Sequence, residues 1–322
     1  MPSDDSQRTF LAGRALLLAG DLPALTLELD RSPDLVHARI SSVSAPYDGY
    51  FHGATLLHHV AGNPEISPLP ARIIEAAGLL LDRGADVDSV TLQGPGQPDD
   101  IGWTTLGLVA SSSAAREAGH QEALMDLLID AGADVDARRG GCIMGALYYG
   151  ESRAAEYLAA RGATVDLVAA AGVGDLGALR SILEDDARME AAVRTPPGTI
   201  PSREGPGPSG GEPRLAHYSR VPWPSNPVRQ DLLALALTYA ALHGRVDALR
   251  VLLEAGADPD HRPPFDSGAT ALHRAAMGDH PVAIHLLLEA GADPEARDLE
   301  FHSTPLGWAK YMRRSKALEA LS

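Results

Sequence analysis

The chain has 322 residues, of which 45% are apolar and only 5% aromatic, so it can bury a sizeable core made mostly of leucine and alanine. A formal charge of −16 opposes a nucleic-acid backbone or an anionic membrane surface as the main partner and fits a protein, a cation or a small molecule. The single cysteine, Cys142, excludes an internal disulfide and a cysteine-based zinc site, and fits a reducing cytoplasm.

At the start, MPSDDSQRTF is acidic where a secretory signal is basic. The LAGRALLLAGDL that follows is too short and too interrupted to cross a membrane. From there a phrase recurs: TLLHHVA at 55–61, TTLGLVA at 104–110, TALHRAA at 270–276 and TPLGWAK at 304–310. Its threonine suits a helix start, and its alanines let a neighbouring helix approach closely. A second phrase, Gly-Ala, occurs at 84–85, 132–133, 162–163, 256–257 and 291–292 and continues with Asp86, Asp134, Asp258 and Asp293 in all but the third. Apolar residues at helical spacing precede each glycine, as in Leu249, Leu252, Leu253 before Gly256 and Ile284, Leu287, Leu288 before Gly291. Such a glycine ends a helix in the left-handed conformation. The carboxylates that follow, such as Asp258 with Asp260 and Asp293 with Glu295, read as turn residues, because Asp side chains bond nearby backbone N–H groups. No histidine or third carboxylate recurs beside them at ligand spacing, so no metal or cofactor is expected.

Together the two phrases resemble the ankyrin repeat, whose signature is T-P-L-H-x-A at a period of about 33 residues. The resemblance implies an all-α helical solenoid with loop-rich β-hairpin fingers, running through residues 1–322 as one array. Units start near 11, 55, 104, 141, 165, 235, 270 and 304, with the fourth and fifth lacking the capping threonine. Only the last intervals keep the family period. The largest departure is an inserted loop at 187–230: residues 195–227 hold nine prolines and five glycines, too many for a continuous helix or strand. Its first half reads as flexible. Its second half carries His217, Tyr218 and Trp223 and is expected to fold back as a lid or an anchor. Arginine supplies nearly all the positive charge, with Lys310 and Lys316 the only lysines, a bias that points to a GC-rich, bacterial genome.

In the ankyrin family the concave surface is built from fingers and first helices. Mapped residue by residue, eleven of the fifteen aromatic rings fall on fingers, the insertion or groove positions. Trp103, Tyr148 and Tyr149 come from adjacent units and are expected side by side. The candidate binding residues are Tyr50, His52, Trp103, Tyr148, Tyr149, His217, Tyr218, Trp223, His243, Arg274, Phe301 and His302. His58 and His273 take the structural histidine of the phrase. Phosphate-loop, nucleophile-elbow, zinc-protease and kinase motifs are all missing. The resemblance implies a non-enzymatic scaffold for a protein or peptide, and the single thiol fits a cytoplasmic location. The competing reading is a small-molecule site or an acid–base enzyme of isomerase or cyclase type, closed by the fingers and residues 215–224, with His243, Tyr149 and Asp266 as acid–base groups.

Overall fold

The computed structural model describes residues 4–40, 52–62, 68–92, 102–194, 226–263 and 268–322. Its described residues are all-α, and contacts group the chain into two compact bodies, 1–163 and 164–322. Of the expected hairpin fingers, the described residues contain one isolated antiparallel bridge, Val90 to Thr104, and no extended strand.

The first body holds α1 (Asp4–Ala19), α2 (Leu22–Arg31), α3 (Ile73–Asp82), α4 (Thr105–Ala110), α5 (Ser113–Glu117), α6 (Gln121–Asp130), α7 (Ala137–Tyr148) and α8 (Ser152–Ala160), with 3-10 turns at Pro33–Val36 and Leu57–Ala61. Its helices form two layers. The Leu57–Ala61 turn, α4 and α7 pack in one; α3, α6 and α8 pack in the other. The second body holds α9 (Leu167–Val173), α10 (Leu176–Leu183), α11 (Asp186–Arg194), α12 (Arg229–Leu242), α13 (Val246–Glu254), α14 (Ala271–Met277), α15 (Pro281–Glu289), α16 (Pro305–Tyr311) and α17 (Ser315–Ala320). There α9, α12, α14 and α16 form one layer and α10, α13, α15 and α17 the other.

Composition assigns each helix to its layer. In α12 every residue from Leu232 to Ala241 is buried, as expected of a helix that is apolar all round. In α13 only Ala248, Leu249, Val251 and Leu252 are buried, while Asp247 and Glu254 stay in water, so it covers α12 from one side. Each fully buried leucine of these faces contributes about 1.5–3 kcal/mol.

The recurring phrases have distinct bonding roles. Thr104 and Thr304 accept the N–H of Gly107 and Gly307 at 3.1 and 3.2 Å, capping α4 and α16. In the two phrases that contain histidine, the imidazole links successive repeats. His58 Nδ1 takes the Thr55 N–H (3.0 Å) and Nε2 donates to the Ser89 carbonyl (2.9 Å). His273 repeats this with Thr270 N–H (3.2 Å) and the Ser303 carbonyl (2.9 Å).

The acidic pairs divide the work between their members. The first acid closes its own turn: Asp86 accepts Asp88 N–H (3.2 Å), Asp134 accepts Asp136 N–H (2.9 Å), Asp258 accepts Asp260 N–H (2.9 Å) and Asp293 accepts Glu295 N–H (2.9 Å). The second acid reaches the next repeat: Asp88 accepts Asp134 N–H and Asp260 accepts Asp293 N–H, each at 3.0 Å. These carboxylates are therefore structural turn and staple groups.

Several expected boundaries shift. Helix α11 occupies residues 186–194, so the stretch expected to begin a loop at 187 opens as helix; Asp185 accepts the Ala187 and Arg188 N–H groups and starts it. The fifth repeat, which lacks a threonine, is capped instead by Asp166, which accepts Ala169 N–H at 2.8 Å. The first helices expected near 141 and 235 begin earlier, at Ala137 and Arg229; at the latter, Asp231 reaches back to Val228 N–H (2.9 Å).

Candidate functional site

In the first body, Trp103, Tyr149 and Tyr148 form a continuous ring cluster. The Trp103 and Tyr149 centroids lie 6.3 Å apart, and Tyr149 meets Tyr148 edge-on at 5.3 Å. Trp103 precedes the capping threonine of α4, and the tyrosines end α7 and enter the next turn. Two glycines make the slot for the indole. A Cβ on Gly145 would fall 2.8 Å from the Trp103 ring, and one on Gly107 would fall 3.2 Å from it. The backbone around Trp103 is fixed as well: its N–H donates to Thr91 Oγ1 and its carbonyl accepts Thr91 N–H, both at 2.9 Å. Trp103 is consequently buried, at 6% exposure, whereas Tyr148 and Tyr149 are half-buried. The expected side-by-side rings are present, with the tryptophan as their floor.

His52 lies on the other side of the same segment, its carbonyl accepting Leu92 N–H (2.6 Å), and is half-buried. Behind the cluster, Cys142 is fully buried beside Thr104. Burial pushes its thiol up to about 12, which leaves it protonated and inert as a nucleophile.

In the second body, Trp308 organises the candidate residues. Arg274 places its guanidinium 5.6 Å from the Trp308 ring centre. Phe301 and His273 meet the same ring edge-on at 6.4 and 5.3 Å. Asp298 holds the loop. Its carboxylate accepts the Trp308 indole N–H (3.0 Å) and the N–H groups of Glu300 and Ser303, each at 3.0 Å, and that of Phe301. Burial works against the Asp298 charge, but the bonds from Phe301, Trp308, Ser303 and Glu300 outweigh it and keep its carboxyl below the usual range. The knot leaves Phe301 49% exposed and His302 exposed at a φ of 51°. Sequence reasoning did not single out Asp298; an Asp six residues before a Thr-Pro helix start is the signal for it.

His243 departs from its expected groove position. It is 8% exposed and stacks on Tyr239, with centroids 6.4 Å apart and 23° between planes. His243 closes α12 four residues after Tyr239, so helical spacing sets the two rings on one face. Tyr50, His217, Tyr218, Trp223 and Asp266 lie outside the described residues. Among the described residues no cluster of three or more His, Cys, Asp or Glu could hold a metal ion, and no helix is long and apolar enough to cross a membrane.

Comparison with known proteins agrees with the repeat reading over part of the chain. Residues 237–288, from the second half of α12 through most of α15, match the family model for ankyrin repeats (many copies). Comparison with curated proteins gives no match. Among solved structures, the chain is similar to the human ASB11 ankyrin repeat domain, at 20% identity and a TM-score of 0.40 over 96% of each chain. The threonine caps, histidine links and acidic staples seen at 237–288 and around it recur in the first body, at Thr55, His58, Asp88 and Thr104.

Proposed function

We propose that this chain is a non-enzymatic binding scaffold, and that the ring cluster of Trp103, Tyr149 and Tyr148 is a contact surface for a protein or peptide. The observation that supports it most is how the tyrosines are held. They stand half-exposed on a helix end, backed by a tryptophan that two glycines and two backbone bonds lock in place. Rigid tyrosines over a packed floor lose little conformational entropy on contact, which is the property of interface anchors. Ankyrin repeats are in general protein-interaction scaffolds, and the match at 237–288 adds to the reading.

The test is a native pull-down from the source cell with mass spectrometry, comparing the wild-type chain with a Tyr148→Ala, Tyr149→Ala double variant. A protein captured by the wild type and lost at least about tenfold from the folded double variant supports the surface. Identical capture removes these tyrosines from it. A co-purifying metabolite with no captured protein would favour the small-molecule reading instead.

A further inference from the structure

Both lysines of the chain lie within one helix pair, in a region of reversed charge. Lys310, Arg313, Arg314 and Lys316 stand against one acid, Glu319, so residues 301–322 carry net +3 in a chain of −16. Lys310, Arg313 and Lys316 are exposed, and Tyr311 among them is 59% exposed. No carboxylate pairs with any of these three bases among the described residues. Some exposed arginines elsewhere are matched, as Arg83 is with Asp30 (2.7 Å) and Arg153 with Glu122 (2.5 Å). The acid of the neighbouring turn, Asp279, is engaged with the Ala317 N–H at 2.8 Å.

The backbone marks one of these bases. The turn between paired helices has a left-handed residue at one fixed place. It is Gly20, Gly150, Gly174 and Gly244 in four pairs, Asp279 in the α14–α15 pair and Arg313 in the α16–α17 pair, where φ is 55°. A left-handed residue with a Cβ is strained relative to glycine. Asp279 has a visible use for its side chain in capping α17. Among the described residues the Arg313 side chain has no partner that would justify the conformation, so its use is sought outside the fold.

We propose that Lys310, Tyr311, Arg313 and Lys316 form a docking surface for an acidic segment of a partner protein that carries an apolar side chain to cover Tyr311. Three unpaired bases around an exposed ring match such a segment in charge and in chemistry: carboxylates meet the bases, and the apolar group desolvates the tyrosine. This surface is separate from the Trp103 cluster, and either can fail without the other.

The experiment measures anisotropy of a labelled EELEEFEE peptide with the full chain at low salt and at about 0.15 M. A matched QQLQQFQQ peptide is the neutral control. We expect the acidic peptide to bind at least about tenfold more tightly than the neutral one, and to weaken with salt. The Lys310→Glu, Arg313→Glu, Lys316→Glu variant should lose binding while keeping its circular dichroism, and Tyr311→Ala should weaken it about fivefold. Arg313→Gly is the sharpest arm: it should raise the melting temperature, because glycine fits the turn, and yet weaken the peptide about threefold. Undetectable acidic-peptide binding, equal binding of the neutral peptide, or unchanged affinity in the charge-reversed variant would overturn the proposal. So would tighter retention of phosphatidylcholine vesicles with about 30% phosphatidylserine, or of single-stranded DNA, if charge reversal abolished it. The Tyr148→Ala, Tyr149→Ala variant should bind the peptide as the wild type does.

Discussion

Trp103 and Trp308 are buried to nearly the same degree, at 6% and 5% exposure, but their surroundings solve different problems. Trp103 rests in a slot that exists because Gly107 and Gly145 lack side chains, and its ring supports two half-exposed tyrosines. Trp308 is held by its polar edge: its indole N–H meets Asp298, a carboxylate that also ties three backbone N–H groups. The first is a shape solution and the second a hydrogen-bond solution. The difference teaches where each neighbourhood will break. A shape slot is sensitive to added volume; a hydrogen-bond knot is sensitive to loss of a partner.

Acid should separate the two bodies most strongly. In the first, burial aided by the charge of Arg39 lowers His58 to about 4, and burial aided by Arg14 lowers His59 to about 3, both from 6.5. Neutral imidazole is the folded form; Nδ1 of His58 accepts an N–H and has no room for its own proton. The unfolded chain takes up protons below 6.5 while the folded chain does not. Their stability contribution is therefore complete above 6.5, falls with pH, and is gone below the folded values. From pH 7 to 4 the two together should cost on the order of 6 kcal/mol. In the second body burial also lowers His273 and His280, with smaller shifts. Hydrogen exchange at pH 5 should thus show residues 55–61 opening before residues 270–276. Equal loss of protection in both stretches would break the contrast.

Truncating the two tryptophans comes next. Trp308→Ala should cost about 4–5 kcal/mol, since it leaves a cavity and also strips Asp298 of one donor, and the Phe301 loop should become exchange-labile. Trp103→Ala should cost about 3–4 kcal/mol, the cavity without an orphaned acid. Urea midpoints measure both. A smaller substitution tests the slot itself: Gly145→Ala should cost about 1–3 kcal/mol and red-shift the Trp103 fluorescence, as the indole moves off α7.

Much of this was legible in the sequence, and the reasons are local. Thr104 and Thr304 announce helix starts because a hydroxyl cap acts within three residues. Gly256 and Gly291 announce ends because φ there is 86° and 93°. Asp166 was not legible as a cap because the recurring phrase marks its helix starts with threonine, although aspartate does the same work. Helix α11 was hidden because its alanine-rich run carries a weak apolar stripe, with Met189 its sole buried residue. The adjacency of Trp103 with Tyr149 followed from repeat spacing. Their unequal exposure did not, because it depends on glycines 38 residues apart in sequence, at 107 and 145, meeting the same ring. His243 is a different case: repeat register set it in the groove, whereas its place four residues after Tyr239 at the end of α12 already sets the two rings on one helix face.

The smallest predicted effect concerns the acidic pairs, and it should tell their two members apart. Asp88 and Asp260 are exposed or half-buried, so removing either charge should cost only about 0.5–1 kcal/mol. The loss should be confined to one place, the N–H of the following repeat. Asp88→Ala should therefore speed exchange of the Asp134 amide, and Asp260→Ala that of the Asp293 amide, with neighbouring helix amides unchanged. Asp86→Ala and Asp258→Ala should instead loosen the Asp88 and Asp260 amides within their own turns, and weaken the inter-repeat bond only through misplacement of the second acid. If both members of a pair produced the same exchange pattern, the division of labour would be wrong, and the acids would act as one turn unit. The expected asymmetry makes the spacing of two residues intelligible: the first carboxylate sets the turn that aims the second at the next repeat.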